Sequence, residues 1–145
     1  EPERLELCGA AGVADEVKYP EPSDSVELFV SDELICIDPD ATVHQVAKRL
    51  AATGVGALVV MDGDRVAGIV SERDVVHAEA SGKDLESTTA AELGTRRVVT
   101  CSPDTTIHAA AELMMEHYVR HLLVEDRSGL LGMISARDLL GAYAS

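Results

Sequence analysis

The sequence predicts an α/β (α+β) fold in which two tandem βαββα repeats pack about a pseudo-twofold axis into one module. Three observations predict it. The chain, shifted by 64 positions, aligns with itself without a gap. From Leu34 to Val76, 13 of 43 aligned pairs are identical, and most of the others are apolar for apolar. The identities cluster at turns and in one stretch, where Gly68-Ile69-Val70-Ser71-Glu72-Arg73-Asp74 falls on Gly132-Met133-Ile134-Ser135-Ala136-Arg137-Asp138.

Each element follows from local pattern. Leu34–Ile37 and Val98–Cys101 read as short strands ending before Pro39 and Pro103. Thr42 and Gln45 make a capping box that opens a helix. Val43, Val46, Ala47 and Leu50 then form an apolar stripe at helical spacing, as do Ile107, Ala110, Ala111 and Met114. Ala57–Met61 and Leu122–Glu125 are strongly apolar and read as buried strands. Asp62-Gly63-Asp64 and Asp126-Arg127-Ser128-Gly129 are hairpin turns, returning as Val66–Val70 and Leu130–Ile134. Second helices start near Arg73 and Arg137.

The organisation follows: repeat 1 over 24–80, a polar linker over 81–87 and repeat 2 over 88–145. Val26-Glu27-Leu28 resembles Ala91-Glu92-Leu93 as a lead-in turn, with a register slipped by one residue. Residues 1–23 match nothing in the repeat. Their three prolines and many acids suit either disorder or packing on the module. One small copy exposes an apolar sheet face and is marginal alone; two copies bury it and leave clefts at the seam.

Composition excludes several classes. Formal net charge is −14, with 12 Lys+Arg against 26 Asp+Glu, so no basic footprint for nucleic acid exists. Aromatics are 3% with no Trp, so the chain also lacks stacking platforms for bases. The acidity suits a high-salt habitat or ordinary solubility. No apolar run approaches the roughly 18 residues of a membrane span, and no signal-peptide pattern opens the sequence. It begins with Glu, as a piece of a longer chain does. Cys8, Cys36 and Cys101 have no paired spacing, which argues against disulfides or zinc and for reduced thiols in the cytoplasm.

With the repeat in place, the motif G-h-x-S-x-x-D occurs twice, as Gly68…Ser71…Asp74 and Gly132…Ser135…Asp138. In this the chain resembles CBS-domain pairs, also called Bateman modules, of the stand-alone bacterial or archaeal type, over about Ser25 to Ala142. The resemblance implies a regulatory sensor that binds an adenine nucleotide between the repeats: AMP, ADP or ATP, and less readily NADH or S-adenosylmethionine. It assigns ribose hydroxyls to Asp74 and Asp138, and the ribose or phosphate vicinity to Ser71 and Ser135. It also places a basic pair, Arg120-His121, where the first copy has Gly56-Ala57. In a pseudo-twofold pair that position can face the other copy's signature, so the expectation combines Ser71 and Asp74 with Arg120 and His121. Ser135 and Asp138 then meet Gly56 and Ala57, with Arg73 or Arg137 as substitute cations. Two departures stand out: Leu123 where many copies have Pro, and the order Arg-His rather than His-Arg.

The chemistry is sound from residue types. A carboxylate accepts from both hydroxyls of a cis-diol, each charge-assisted bond contributing roughly 1.5–3 kcal/mol. A helix N-terminus favours an anion. Ile69 and Met133 could flank an adenine ring, and the opening strands, around Ile37, could offer backbone groups to its edge. Set against this, Ser-x-x-Asp is also an ordinary helix-capping pattern. Arg120-His121 could be a surface pair, and His44 and His108 fit solvent or a dimer contact better than a metal. Gly54-x-Gly56 precedes a strand, which rules out a dinucleotide loop. No Cys or Ser comes with a base and an orienting group, so no catalytic residue and no metal are expected, and an unrecognised enzyme is the weakest reading.

Two functional classes remain. One is the sensor, forming a homodimer through apolar parts of the second helices, such as Val75-Val76 and Leu139-Leu140, and signalling to an effector protein that the sequence does not name. The other is a structural dimerisation or partner-docking module with no small ligand.

Overall fold

The computed structural model describes residues 21–30 and 34–143. Elements follow one another as a 3-10 turn (Val26–Phe29), β1 (Cys36–Ile37), α1 (Val43–Thr53), β2 (Ala57–Asp62), β3 (Arg65–Ser71), α2 (Glu72–Ala80), α3 (Ala90–Leu93), β4 (Thr100–Cys101), α4 (Ile107–His117), β5 (His121–Asp126), β6 (Gly129–Ser135) and α5 (Ala136–Tyr143). They form two three-stranded sheets, ordered β1-β2-β3 and β4-β5-β6. In each, the first strand is parallel to the second and the last two form an antiparallel hairpin.

The repeat of 64 positions is kept in three dimensions. Ala57 pairs with Ser71 as His121 pairs with Ser135, and the register shifts after Val60 as it does after Val124. The Thr42–Gln45 capping box forms as the sequence predicts, and the predicted stripe buries Val43, Val46 and Leu50. In α4 the buried stripe is Ile107, Ala110 and Met114. Both opening strands are shorter than expected. Val59 N–H and Leu123 N–H nevertheless donate to Ile35 and Val99 carbonyls at 3.0 Å, so the pairing continues past the regular strand. The Leu123 bond is one that a proline there could not make.

The lead-in turns correct the expected register. Ser25 caps the 3-10 turn and Thr89 caps α3, 64 positions apart, so the match has no slip. Each lead-in packs on the opposite repeat. Val26 N–H donates to Thr105 O and Ile107 N–H to Asp24 O, while Ala90 N–H donates to Ala41 O and Val43 N–H to Thr88 O. Val26 is accordingly buried in the core of the second repeat and Ala90 in that of the first. His108 N–H donates to Pro22 O, so the backbone at Pro22 is tied to the start of α4; residues 1–20 lie outside the described residues.

A third apolar cluster joins the two sheets: Ala57, Val59, Ile69 and Leu123, with Cys36, Met61 and Met133 against it. Val59 and Leu123 occupy the same place in the repeat, so the seam is built from the twin central strands. Cys36 and Cys101 are free and half-buried rather than fully enclosed, and burial pushes the Cys101 thiol pKa up. Among the described residues no helix is long and apolar enough to cross a membrane.

Candidate functional site

The site grows from the ends of the two hairpins. β3 ends at Ser71 and β6 at Ser135, and each passes directly into a helix. The turn is fixed by reciprocal bonds. Ser71 N–H donates to Asp74 Oδ2 at 2.8 Å, Ser71 Oγ lies 3.0 Å from the same oxygen, and Asp74 N–H donates to Ser71 Oγ at 3.3 Å. In the second copy Ser135 N–H donates to Asp138 Oδ2 at 2.8 Å and Asp138 N–H to Ser135 Oγ at 3.1 Å. The capping role that the sequence leaves open is therefore real. It occupies one oxygen of each carboxylate; Oδ1 of both makes no bond within the described residues. Both aspartates are half-buried.

The glycine of the signature has a packing reason. A Cβ on Gly68 would stand 2.5 Å from the Thr95 carbonyl oxygen, because the segment leaving α3 crosses β3 there. Ile69 and Thr95 exchange backbone bonds at 2.9 and 3.1 Å. The second repeat thus starts by pairing with the first repeat's signature strand.

Both signatures open onto one cleft of about 870 Å³. Of the residues singled out in the sequence, Ser71, Asp74, Ser135, Asp138, Arg120, His121, Arg137, Ile69 and Met133 line it. Ile37 does not. It is 7% exposed and packs in the core of the first repeat beneath α1, because its side chain points to the helix face of the strand. Cys36, its neighbour, faces the seam instead.

The basic pair is positioned by the backbone of its own repeat. His121 pairs with Ser135 across the β5–β6 hairpin, and Arg120 O accepts from Ala136 N–H at 2.8 Å, so both residues stand beside the signature of their own repeat. His121 nevertheless feels both aspartates. Burial lowers its pKa, Asp138 and then Asp74 pull it up, and Arg120 pushes it down. The second signature therefore has Arg120 and His121 beside it.

Four arginines line the cleft, Arg73, Arg97, Arg120 and Arg137, against the carboxylates Glu72, Asp74 and Asp138. Ion pairs within 4.0 Å among the described residues are His44–Glu86, His108–Glu112 and His117–Glu116, so no carboxylate of the described residues pairs with these arginines. In a chain of net charge −14 this is a local reserve of positive charge. Arg97 and Tyr118 escape sequence reasoning. Arg97 lies in an irregular lead-in to β4, and Tyr118 replaces a turn glycine, so neither carries a motif. His44 and His108 pair with glutamates on the surface, and no group of three potential metal ligands occurs among the described residues.

The CBS-domain model matches residues 25–81 and 90–145. The chain belongs to the CBS domain family. An uncharacterised 17.7 kDa protein of Acidianus ambivalens is 33% identical over 119 residues, covering 81% of this chain and 71% of that one. A solved structure from Burkholderia ambifaria, described as a signal-transduction protein with CBS domains, is 34% identical and superposes with a TM-score of 0.70, covering 77% and 83%. A CBS domain protein from Pyrobaculum aerophilum, solved in complex with AMP, is 29% identical with a TM-score of 0.68, covering 83% of this chain and 99% of that one. Such tandem CBS pairs share the mixed α/β architecture seen here.

Proposed function

We propose that this CBS pair is a regulatory module that binds an adenine nucleotide in the cleft between its repeats. The observation that carries the reading is the convergence of both Ser-x-x-Asp turns, His121 and four arginines on one cavity. The second oxygen, Oδ1, of Asp74 or Asp138 accepts from a ribose diol, and the arginines meet the phosphate. The AMP complex of the Pyrobaculum relative supports the ligand class. Binding differs between two states of a dimer or an effector complex, and the ligand shifts their balance by that difference. Catalysis is not part of the reading: the two signature carboxylates are twins engaged in helix caps, an arrangement suited to holding rather than to proton transfer.

Calorimetry with AMP, ATP, NADH and S-adenosylmethionine tests it. The expected result is micromolar affinity for at least one adenine nucleotide, about −8 kcal/mol. No heat with any of the four contradicts it.

A second reading, a homodimerisation module, has its own observation. Each apolar pair expected on the second helices is split, Val75 and Leu139 turning inward while Val76 and Leu140 remain 67% and 64% exposed. Met115 on α4 is 75% exposed as well. Sedimentation equilibrium at micromolar concentration reads this directly, and a monomer removes it.

A further inference from the structure

Tyr118 is the unusual residue at the cleft. It caps the C-terminus of α4 with φ 55 and ψ 42, the left-handed region, and is the one non-glycine residue with positive φ among the described residues. A side chain there is disfavoured relative to glycine. Its equivalent 64 positions earlier is Gly54, which ends α1 with φ 74. The two repeats therefore make the same turn, one with the residue that the turn favours and one without.

The ring is not placed there by packing. Tyr118 is 90% exposed yet lines the cleft, so it stands at the rim with nothing of the protein covering it. The backbone beside it is held: Arg97 Nη1 donates to His117 O at 3.4 Å, and Tyr118 N–H and Val119 N–H both donate to Met114 O. Ile35, Val55, Val119 and Met133 give the cleft apolar surface, and none of them is a flat ring. Ile69, expected to flank the adenine, is 3% exposed and spent on the seam. Two aromatic residues line the cleft among the described residues: Phe29 is half-buried against the core of the second repeat, and Tyr118 is exposed, so a flat aromatic group entering the cleft has the Tyr118 face open to it.

We propose that Tyr118 is a binding residue that stacks on the planar base of the ligand at the second repeat's side of the cleft. Gly54 supplies no such face, so the two ends of the cleft differ and the base is directed to one of them. The inference rests on the nucleotide reading of the cleft. It also accounts for a disfavoured conformation retained at a functional rim.

The test uses the full chain and AMP in calorimetry, with Tyr118→Phe, Tyr118→Gly and Tyr118→Asn; Gly and Asn both tolerate the left-handed conformation. Phe is expected to keep wild-type affinity. Gly and Asn are expected to lose roughly tenfold, the order of one lost base–aromatic stack. Thermal unfolding of Tyr118→Gly is expected at or above the wild-type midpoint, since the turn is relieved. Wild-type affinity in both non-aromatic variants overturns the inference while leaving the nucleotide reading intact. Absence of binding in the wild type overturns the nucleotide reading and this inference together.

Discussion

His121 faces Ser135 across the β5–β6 hairpin, within the electrostatic reach of both Asp138 and Asp74. One imidazole is thus coupled to carboxylates of both repeats.

Burial holds the His121 pKa below the ordinary histidine value, although Asp138 and Asp74 pull the other way. In the unfolded chain the group returns to about 6.5. Its contribution to stability is thus complete above that pH and is lost as pH falls toward the lower folded value, because the unfolded chain then binds more protons. Anion binding reverses the balance locally, since a phosphate beside the imidazole favours the charged form. AMP affinity is expected to strengthen from pH 8 to pH 6, by no more than tenfold per unit for one proton. His121→Gln is expected to flatten this slope in calorimetry; an unchanged slope contradicts the assignment.

Asp74 has two roles that substitution can separate. Asp74→Asn keeps an amide oxygen able to accept from Ser71 N–H but removes the charge offered to a ribose. Urea unfolding is expected within about 0.5 kcal/mol of wild type, with AMP affinity down roughly tenfold. Ser71→Ala removes the cap instead and is expected to cost about 1 kcal/mol of stability. Equal effects of both variants on both readouts contradict the separation.

Gly68→Ala places its Cβ against the Thr95 carbonyl, a backbone atom that cannot swing away. The expected loss is about 1–3 kcal/mol in urea unfolding. Gly141→Ala, with nothing within 4 Å of the new Cβ and a helical setting, is the matched control. It is expected to be neutral or stabilising by up to about 1 kcal/mol. Similar losses at both positions count against the crossing of segment 94–95 over β3 as the reason for the signature glycine.

Leu123→Ala empties the seam rather than a repeat's own core, since Leu123 packs with Ala57, Val59 and Ile69. A loss of about 2–5 kcal/mol is expected, comparable to Leu58→Ala inside the first repeat. A loss near zero indicates that the sheets do not depend on each other.

The repeat made most of the fold legible. Val43, Val46 and Leu50 declare α1 by spacing alone, and Asp62-Gly63-Asp64 declares the first hairpin. Ser71, Asp74, Ser135 and Asp138 were legible because two copies of one motif landed in the same place, and their cleft followed. What eluded the sequence was which strand face points where. Ile37 and Cys36 are neighbours of similar character, and only the sheet's packing decides that Ile37 goes under the helix and Cys36 to the seam. Exchange of the lead-in turns between repeats has no local signal either, because a short apolar turn does not say which core will bury Val26 or Ala90. Tyr118 stayed hidden because a tyrosine after a helix carries no pattern until the conformation of its backbone is known.

The central claim is that one cleft, built on both signatures, receives the nucleotide. Titration of the nitrogen-15-labelled protein with AMP, followed by amide shifts, tests it most directly. Ser71, Asp74, His121, Ser135 and Asp138 are expected to shift along one saturating curve, while Lys48 and Arg49 on the outer face of α1 stay fixed. Shifts that saturate at the outer face and spare the two Ser-x-x-Asp turns contradict it.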